Sequence, residues 1–495
     1  MGVIFRQSFK SSIYSYLGAI IGFVNVGFLM TRFLTPAEIG VRMQIQSYAV
    51  IISSFLAFGL PYTVIRMFPH FKNEKNKNYG ILTLIGLAGI VSTTLFLIIF
   101  YLGADWFLAD DLKKSALFTQ YYHLIITFTI ANLLFILSDS YATANKESTI
   151  GVFAKDIVLR VFVFLLLLSF IFIESIHFKE FIYGFTFLQW IPALLVLFFL
   201  YHKGYLYFTR KISFPSPAIK KEFIAVNSFS WINVISGVAI ASIDSIMLSK
   251  FEGSESVGIY TILFFFAGLM LIPNRSLSKI TNSIVAEKFK EKKLSEIASI
   301  FKKSSLNPFV VGLFLFGNLI IIAPFVFQII LKNEYDSGFW VLIFLACANL
   351  IKMSSGVKFV IISNSKYFRW VTGFQFLFVF LLVFTNLIFI PLYGVNGAAL
   401  ASLISSFIFH FSGIIFLKLK MNMWPFTLSH LKLLGLFLLT AGLLFIAPDF
   451  DYPVIASLIK SALFSLLFIG FVIYSGISPE MDTQIQKILG KLRNK

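Results

Sequence analysis

Windows of about twenty apolar residues, the length a helix needs to cross the hydrocarbon core of a bilayer, recur about fourteen times along the chain. They lie near 12–33, 44–67, 80–103, 116–141, 151–173, 180–201, 225–249, 258–282, 306–331, 338–362, 368–390, 395–417, 430–447 and 454–474. Lipid offers no partner to an exposed peptide group, so each window must be a helix or a strand of a closed barrel. Outer-membrane strands alternate apolar and polar residues in runs of about ten, and these runs do not. Charged residues make up 13% of the chain against 58% hydrophobic, roughly half the charge of a soluble domain. The expected fold class is all-α integral membrane, with about 14 transmembrane helices.

Orientation follows from Lys and Arg, which favour the cytoplasmic side. With the N-terminus in the cytoplasm, about 29 of these residues fall in cytoplasmic connections, about 7 outside and about 5 within spans. The outer connections lean acidic, with Asp105, Asp110, Asp111, Glu252 and Glu255. An even number of spans leaves both termini cytoplasmic, and the formal charge of +18 becomes a topology signal rather than a nucleic-acid site. No cleavable signal peptide is evident, so the first span reads as a retained helix. Loops reach only about 25 residues. They hold no phosphate loop, metal-ligand spacing or nucleophile triad, so no catalytic residue, metal or cofactor is expected and the chain is not read as an enzyme. Cys347 stands alone and excludes an internal disulfide.

The chain also repeats itself. Arg32-Phe33 and Gly40 after the first span match Lys250-Phe251 and Gly258 after the seventh, at an offset of about 218 residues. Phe170–Ile173 and Leu387–Ile390 agree within a residue or so. A six-helix unit copied after an even number of spans keeps its orientation, so the two copies should be related by an axis along the membrane normal. The expected organisation is an N-lobe over 1–205, a cytoplasmic linker over 206–222, a C-lobe over 223–418, and two further helices with a tail over 419–495.

Charges inside spans cost about 2.5–3.5 kcal/mol each on insertion scales, so each needs a partner, a water-filled cavity or a route to the interface. Lys352, about ten residues from the expected cytoplasmic end of its span, sits about 15 Å deep and either lines a cavity or snorkels. Lys358 is placed to snorkel more easily. Arg66 and Arg275 near cytoplasmic helix ends either snorkel or join the lysines in a collar suited to an anionic headgroup. Arg160 has Asp156 one turn earlier, the favourable order for an intrahelical pair, and either neutralises it or meets substrate. Asp244 is either a proton-coupling acid or an acid paired structurally. Asp139 is expected to be solvated, and the six His residues are scattered.

Three stretches resemble the polysaccharide-biosynthesis (Wzx-type) flippases of the multidrug/oligosaccharidyl-lipid/polysaccharide exporter superfamily. They are Arg32-Phe33-Leu34-Thr35-Pro36-Ala37-Glu38-Ile39-Gly40, Asp244 followed by Val257-Gly258-Ile259-Tyr260, and Ile390-Pro391-Leu392-Tyr393-Gly394-Val395-Asn396-Gly397. The resemblance implies two pseudo-symmetric six-helix lobes around a cationic cavity, with two helices added. It implies a polyprenyl-pyrophosphate-linked oligosaccharide as substrate, of O-antigen, capsule or exopolysaccharide type, in the bacterial cytoplasmic (inner) membrane. Coupling to a proton or sodium gradient is implied as well. Membrane lipid, a glycan polymerase and chain-length proteins are the expected partners of a monomer. Motif positions carry over as Arg32, Gly40, Asp244, Gly258, Tyr260, Pro391, Gly394 and Gly397. The lumen cations Lys352, Arg66, Arg275, Lys358 and Arg160 rest on their placement in the spans alone. The rival readings are a multidrug or cation exporter of the same superfamily and a membrane-embedded glycan polymerase or ligase.

Overall fold

A computed structural model describes residues 2–73, 77–210, 212–331, 333–445 and 453–477. Among them the regular structure is helical throughout. Eleven helices among the described residues are long and apolar enough to cross a membrane. Three features separate this from the expected fourteen. Residues 149–172 form a helix, but Lys155, Asp156 and Arg160 dilute its apolar character. The apolar stretch Leu428–Leu444 is shorter than a full span. Third, Trp370–Met421 runs as one assigned helix although its backbone leaves helical geometry at Gly394 (φ 56°, ψ −133°).

The chain divides into two compact units, Met1–Ile262 and Leu263–Lys495. In the first, α1 (Gly2–Gly22) continues through wide π-helical turns over Phe23–Met30. The chain goes on with α2 (Pro36–Leu56), α3 (Leu60–Phe71), α4 (Ile81–Phe107), two short helices α5 (Ala109–Lys114) and α6 (Ala116–Tyr121), and α7 (Leu124–Ala144). Then come α8 (Leu159–Phe172), α9 (Phe178–Leu188), α10 (Trp190–His202), α11 (Pro217–Glu252) and α12 (Ser254–Gly268), whose residues from Leu263 on belong to the second unit. The centre is α7, the most buried of the membrane-crossing helices, which packs against α2, α3 and α10. Thr35 caps α2 in a reciprocal box with Glu38, and Pro36 occupies the first turn, where its missing N–H costs nothing.

α11, which follows the expected 206–222 linker, is bonded to the helices of the first unit. Its Asn227 Nδ2 donates to the Phe58 carbonyl at 2.7 Å, and its Trp231 Nε1 donates to the Phe55 carbonyl at 2.8 Å. Gly59, at φ 72°, makes room there: a side chain would collide with the backbone of Asn227 and Trp231.

The second unit holds α13 (Ile272–Lys290), α14 (Leu294–Phe325), α15 (Phe339–Ser354), α16 (Lys358–Asn364), α17 (Trp370–Met421), α18 (Leu428–Phe445) and α19 (Pro453–Tyr474). α15 packs between α14 and α17, while α19 packs on α14 and α18. The pairings within α17 show that it folds back on itself. Trp370 meets Phe416 at 5.2 Å between ring centroids, Phe378 meets Phe409 at 4.4 Å, and Thr385 Oγ1 lies 2.9 Å from Ser405 Oγ. These are successive rungs of an antiparallel hairpin turning at Gly394, so α17 supplies both of the spans expected over 368–390 and 395–417. The motif Pro391, Gly394, Gly397 is the turn itself. Gly394 takes the positive φ, and a side chain on Gly397 would strike the Phe389 carbonyl.

Candidate functional site

Where the repeat was expected, the first unit carries a reciprocal contact. A side chain on Gly40 would collide with the Ser254 carbonyl, and one on Gly258 would collide with the Pro36 carbonyl. Pro36 and Ser254 stand at the same offset as Gly40 and Gly258. Residue i meets j while j's counterpart meets i's, which is the signature of a local two-fold axis. Thr35 and Gly253 turn the chain before the paired helices, Gly253 at φ 88° as the single residue between α11 and α12.

A polar chain runs beside this contact. Gln44 Nε2 donates to Ser249 Oγ at 2.6 Å, and Ser249 donates to Asp111; Tyr48 Oη donates to the other Asp111 oxygen at 2.7 Å. Ser254 Oγ lies 2.7 Å from Gln44 Oε1 and 2.6 Å from Ser115 Oγ. Asp111 is fully buried, and burial pushes its carboxyl above the ordinary range against the opposing pull of Ser249, Tyr48 and Lys250. Asp111 was expected in an acidic outer connection. The corrected position is a buried acceptor linking α2, α5 and α11.

The remaining sequence candidates separate by location. Arg32 and Arg66 are exposed on the first unit. Arg160 pairs with Asp156 at 3.5 Å and also donates to the Gly18 carbonyl. Ser15 Oγ donates to Asp156 at 2.9 Å, and Asn25 Nδ2 donates to the Arg160 carbonyl at 2.9 Å. Gly18 and Gly22 leave the space this seam needs, since side chains there would meet Asp156 and Arg160. Asp244 is buried and accepts from Tyr260 Oη at 2.6 Å, so two motif positions bond to each other. Asp139, expected to be solvated, lies with its carboxylate against Gly151, where no side chain would fit.

On the second unit, Lys352 is exposed in the last turn of α15. The helix then breaks before α16, with Gly356 at φ 60°, so the continuous 338–362 span behind the 15 Å depth is interrupted. Hydroxyls bind the freed backbone groups, as a break at membrane depth requires. Ser305 donates to the Ser354 carbonyl, Ser355 Oγ donates to the Lys352 carbonyl at 2.8 Å, and Val357 N–H donates to Ser304 Oγ at 3.2 Å. Lys358, read as a snorkelling or cavity cation, is instead 1% exposed, with Nζ 2.6 Å from Ser355 Oγ and 2.5 Å from His410 Nδ1. Arg275 lies on α13, and its side chain is outside the described residues. The structure thus joins Lys352 and Lys358 across one helix break. Sequence reasoning missed His410, a lone histidine 52 residues from Lys358, although Ser354-Ser355-Gly356 inside an apolar run was a legible sign of the break.

The family model for "Polysaccharide biosynthesis protein" matches residues 4–285, more than half of the chain. The chain belongs to the polysaccharide biosynthesis protein family. No curated protein matches this family member. Solved structures share its fold. A lipid II flippase MurJ in an inward closed conformation is 12% identical at TM-score 0.71, covering 94% of this chain and 99% of that one. An inward-facing multidrug resistance MATE family transporter of the MOP superfamily is 13% identical at TM-score 0.64, covering 82% and 94%. The Vibrio cholerae MATE transporter VcmN in its bent form is 14% identical at TM-score 0.53, covering 84% and 95%. The chain is therefore a multi-pass membrane protein of the polysaccharide biosynthesis family with a transporter fold.

Proposed function

We propose that this protein is a flippase that carries an undecaprenyl-pyrophosphate-linked oligosaccharide across the bacterial cytoplasmic membrane by alternating access. Lys352 carries the reading. It is an exposed ammonium at the end of a membrane-crossing helix, directly before a break in that helix. A fixed cation in a span is tolerated where it meets water or an anion, and the negative end of the α15 dipole favours it there. A pyrophosphate is the anion that a membrane carrier for polysaccharide precursors has to grip. Arg275, on the same unit, carries a guanidinium group of the kind that suits phosphate bidentately, while the polyprenyl tail stays in lipid. A proton or sodium gradient drives the cycle, and a glycan polymerase with its chain-length proteins receives the product.

The similar multidrug transporters keep a cation exporter as the rival. Such a carrier needs an acid open to its cargo, and Asp244 is 8% exposed and bonded to Tyr260. The test is surface polysaccharide in the native host carrying Lys352→Ala. Export is expected to fall about tenfold or more, equivalent to about 1.4 kcal/mol, with the protein level in the membrane unchanged, and Lys352→Arg should recover part of it. Unchanged export in Lys352→Ala refutes the assignment; resistance to toxic cations that vanishes on deletion of the gene favours the rival.

A further inference from the structure

A buried polar seam crosses the second unit where α15 breaks. His430 on α18 has Nε2 3.0 Å from Ser305 Oγ on α14, and Ser305 reaches the Ser354 carbonyl. Beside Ser354, Ser355 Oγ lies 3.0 Å from His410 Nδ1 on α17. Lys358 Nζ closes the triangle with Ser355 and His410 and sits 4.8 Å from the Phe359 ring centroid. Because the Ser355 hydroxyl gives its hydrogen to the Lys352 carbonyl, its lone pairs accept from Lys358. Among the described residues no carboxylate lies within ion-pair distance of Lys358. A buried ammonium normally has such a partner; this one has an imidazole.

We infer that Lys358 and His410 form a proton-binding site that holds one proton in the contact between them, and that uptake and release of a second proton move the Ser355–Val357 break and with it Lys352. The 2.5 Å approach needs a lone pair on one of the two nitrogens. Two cations at that distance, away from water, would repel strongly, so adding a second proton must drive them apart. Lys358 has little room to retreat in place: its stem packs on Gly413, where even a Cβ would lie 3.1 Å from it. The compliant part is the break, whose Gly356 has φ 60°. A discontinuous helix end lined by such groups is where transporters place coupling ions.

The charged and titratable groups on the elements around the pair are these. Lys352 on α15 acts electrostatically on both Lys358 and His410. His430 and Lys432 lie on α18, Glu296, Lys302 and Lys303 on α14, Cys347 on α15, and Tyr393, Lys418 and Lys420 on α17. Glu287, Lys288 and Lys290 lie at the end of α13, whose Arg275 and Lys279 side chains are outside the described residues. The site concerns protonation and holds for any cargo.

The test uses the full chain purified in detergent, without substrate. Hydrogen exchange over residues 350–362, corrected for the intrinsic pH dependence of exchange, should change about tenfold between about pH 5.5 and 8. His410→Gln keeps an acceptor but cannot titrate, and should flatten the step to within about twofold. Lys358→Met should do the same, and should move the His410 titration seen by NMR of labelled histidine by about one pH unit or more. If one variant does not fold, the other carries the test. A flat wild-type profile, or a step that survives either substitution, overturns the inference.

Discussion

Gly40→Ala is the sharpest structural probe of the internal repeat. The added Cβ would overlap the Ser254 carbonyl oxygen, a backbone atom held by α12 and unable to rotate away. Carbon–oxygen contacts settle at about 3.3–3.6 Å, so the starts of α2 and α12 must part. Overpacking of this kind costs about 1–3 kcal/mol, a shift of about 5- to 150-fold in the equilibrium between the closed contact and its opened state. The bonds from Gln44 to Ser249 and Ser254 lie across the same seam and would be strained with it. Hydrogen exchange at the amides of 36–44 and 254–262 reads the opening directly, and should speed up by that factor. Gly258→Ala should act to the same extent through Pro36, and the double variant should fall short of additivity because both substitutions open one contact. Gly86→Ala is the control: nothing lies within 4 Å of its Cβ position, so exchange should slow or stay constant. Unchanged exchange in Gly40→Ala, or a large effect in Gly40→Ala with none in Gly258→Ala, would refute the reciprocal contact.

Three further outcomes follow from the same geometry. Burial raises the Asp111 carboxyl above its ordinary value of 3.8, so the folded protein binds more protons than the unfolded chain just above that pH. Stability is therefore greatest below it and declines as pH rises through the folded value; in detergent, Asp111→Asn should remove that part of the pH dependence of the thermal midpoint, and an identical profile would contradict the buried placement. Gly394→Ala forces a side chain into φ 56°, ψ −133°, at about 1–3 kcal/mol, so its midpoint should drop while that of Gly373→Ala, in open space, does not. The Arg160–Asp156 pair, with side chains 37% and 26% exposed, is screened and worth about 1 kcal/mol or less. The charged bond to the Gly18 carbonyl adds about 1.5–3 kcal/mol. Arg160→Met should thus cost clearly more than Asp156→Asn, and equal losses would put the ion pair, not the Gly18 bond, in charge of α1.

Local features were readable and distant ones were not. The Pro391–Gly397 turn is written in consecutive residues, because only glycine tolerates the backbone there. The offset linking Gly40 to Gly258 survived because both glycines face carbonyls that exclude any side chain. By contrast, Lys358 and His410 come from different helices, and a lone histidine in an apolar run carries no pattern to announce a partner. Asp111 read as a loop acid because exposure cannot be seen in a polar connection; only the approach of Tyr48 and Ser249 buries it. The prolines and charges of 206–222 mark a linker in composition, but Asn227 and Trp231 then tie α11 back to the preceding helices.

Transport of a lipid-linked glycan can be followed in a reconstituted system. Purified protein in phospholipid vesicles should move an undecaprenyl-pyrophosphate-linked oligosaccharide from one leaflet to the other, measured by its exposure to a membrane-impermeant glycan-modifying enzyme. Transfer is expected at a rate well above that of protein-free vesicles and is expected to be lost in Lys352→Ala. Vesicles that move lipophilic cations but leave the lipid-linked oligosaccharide in place would contradict it.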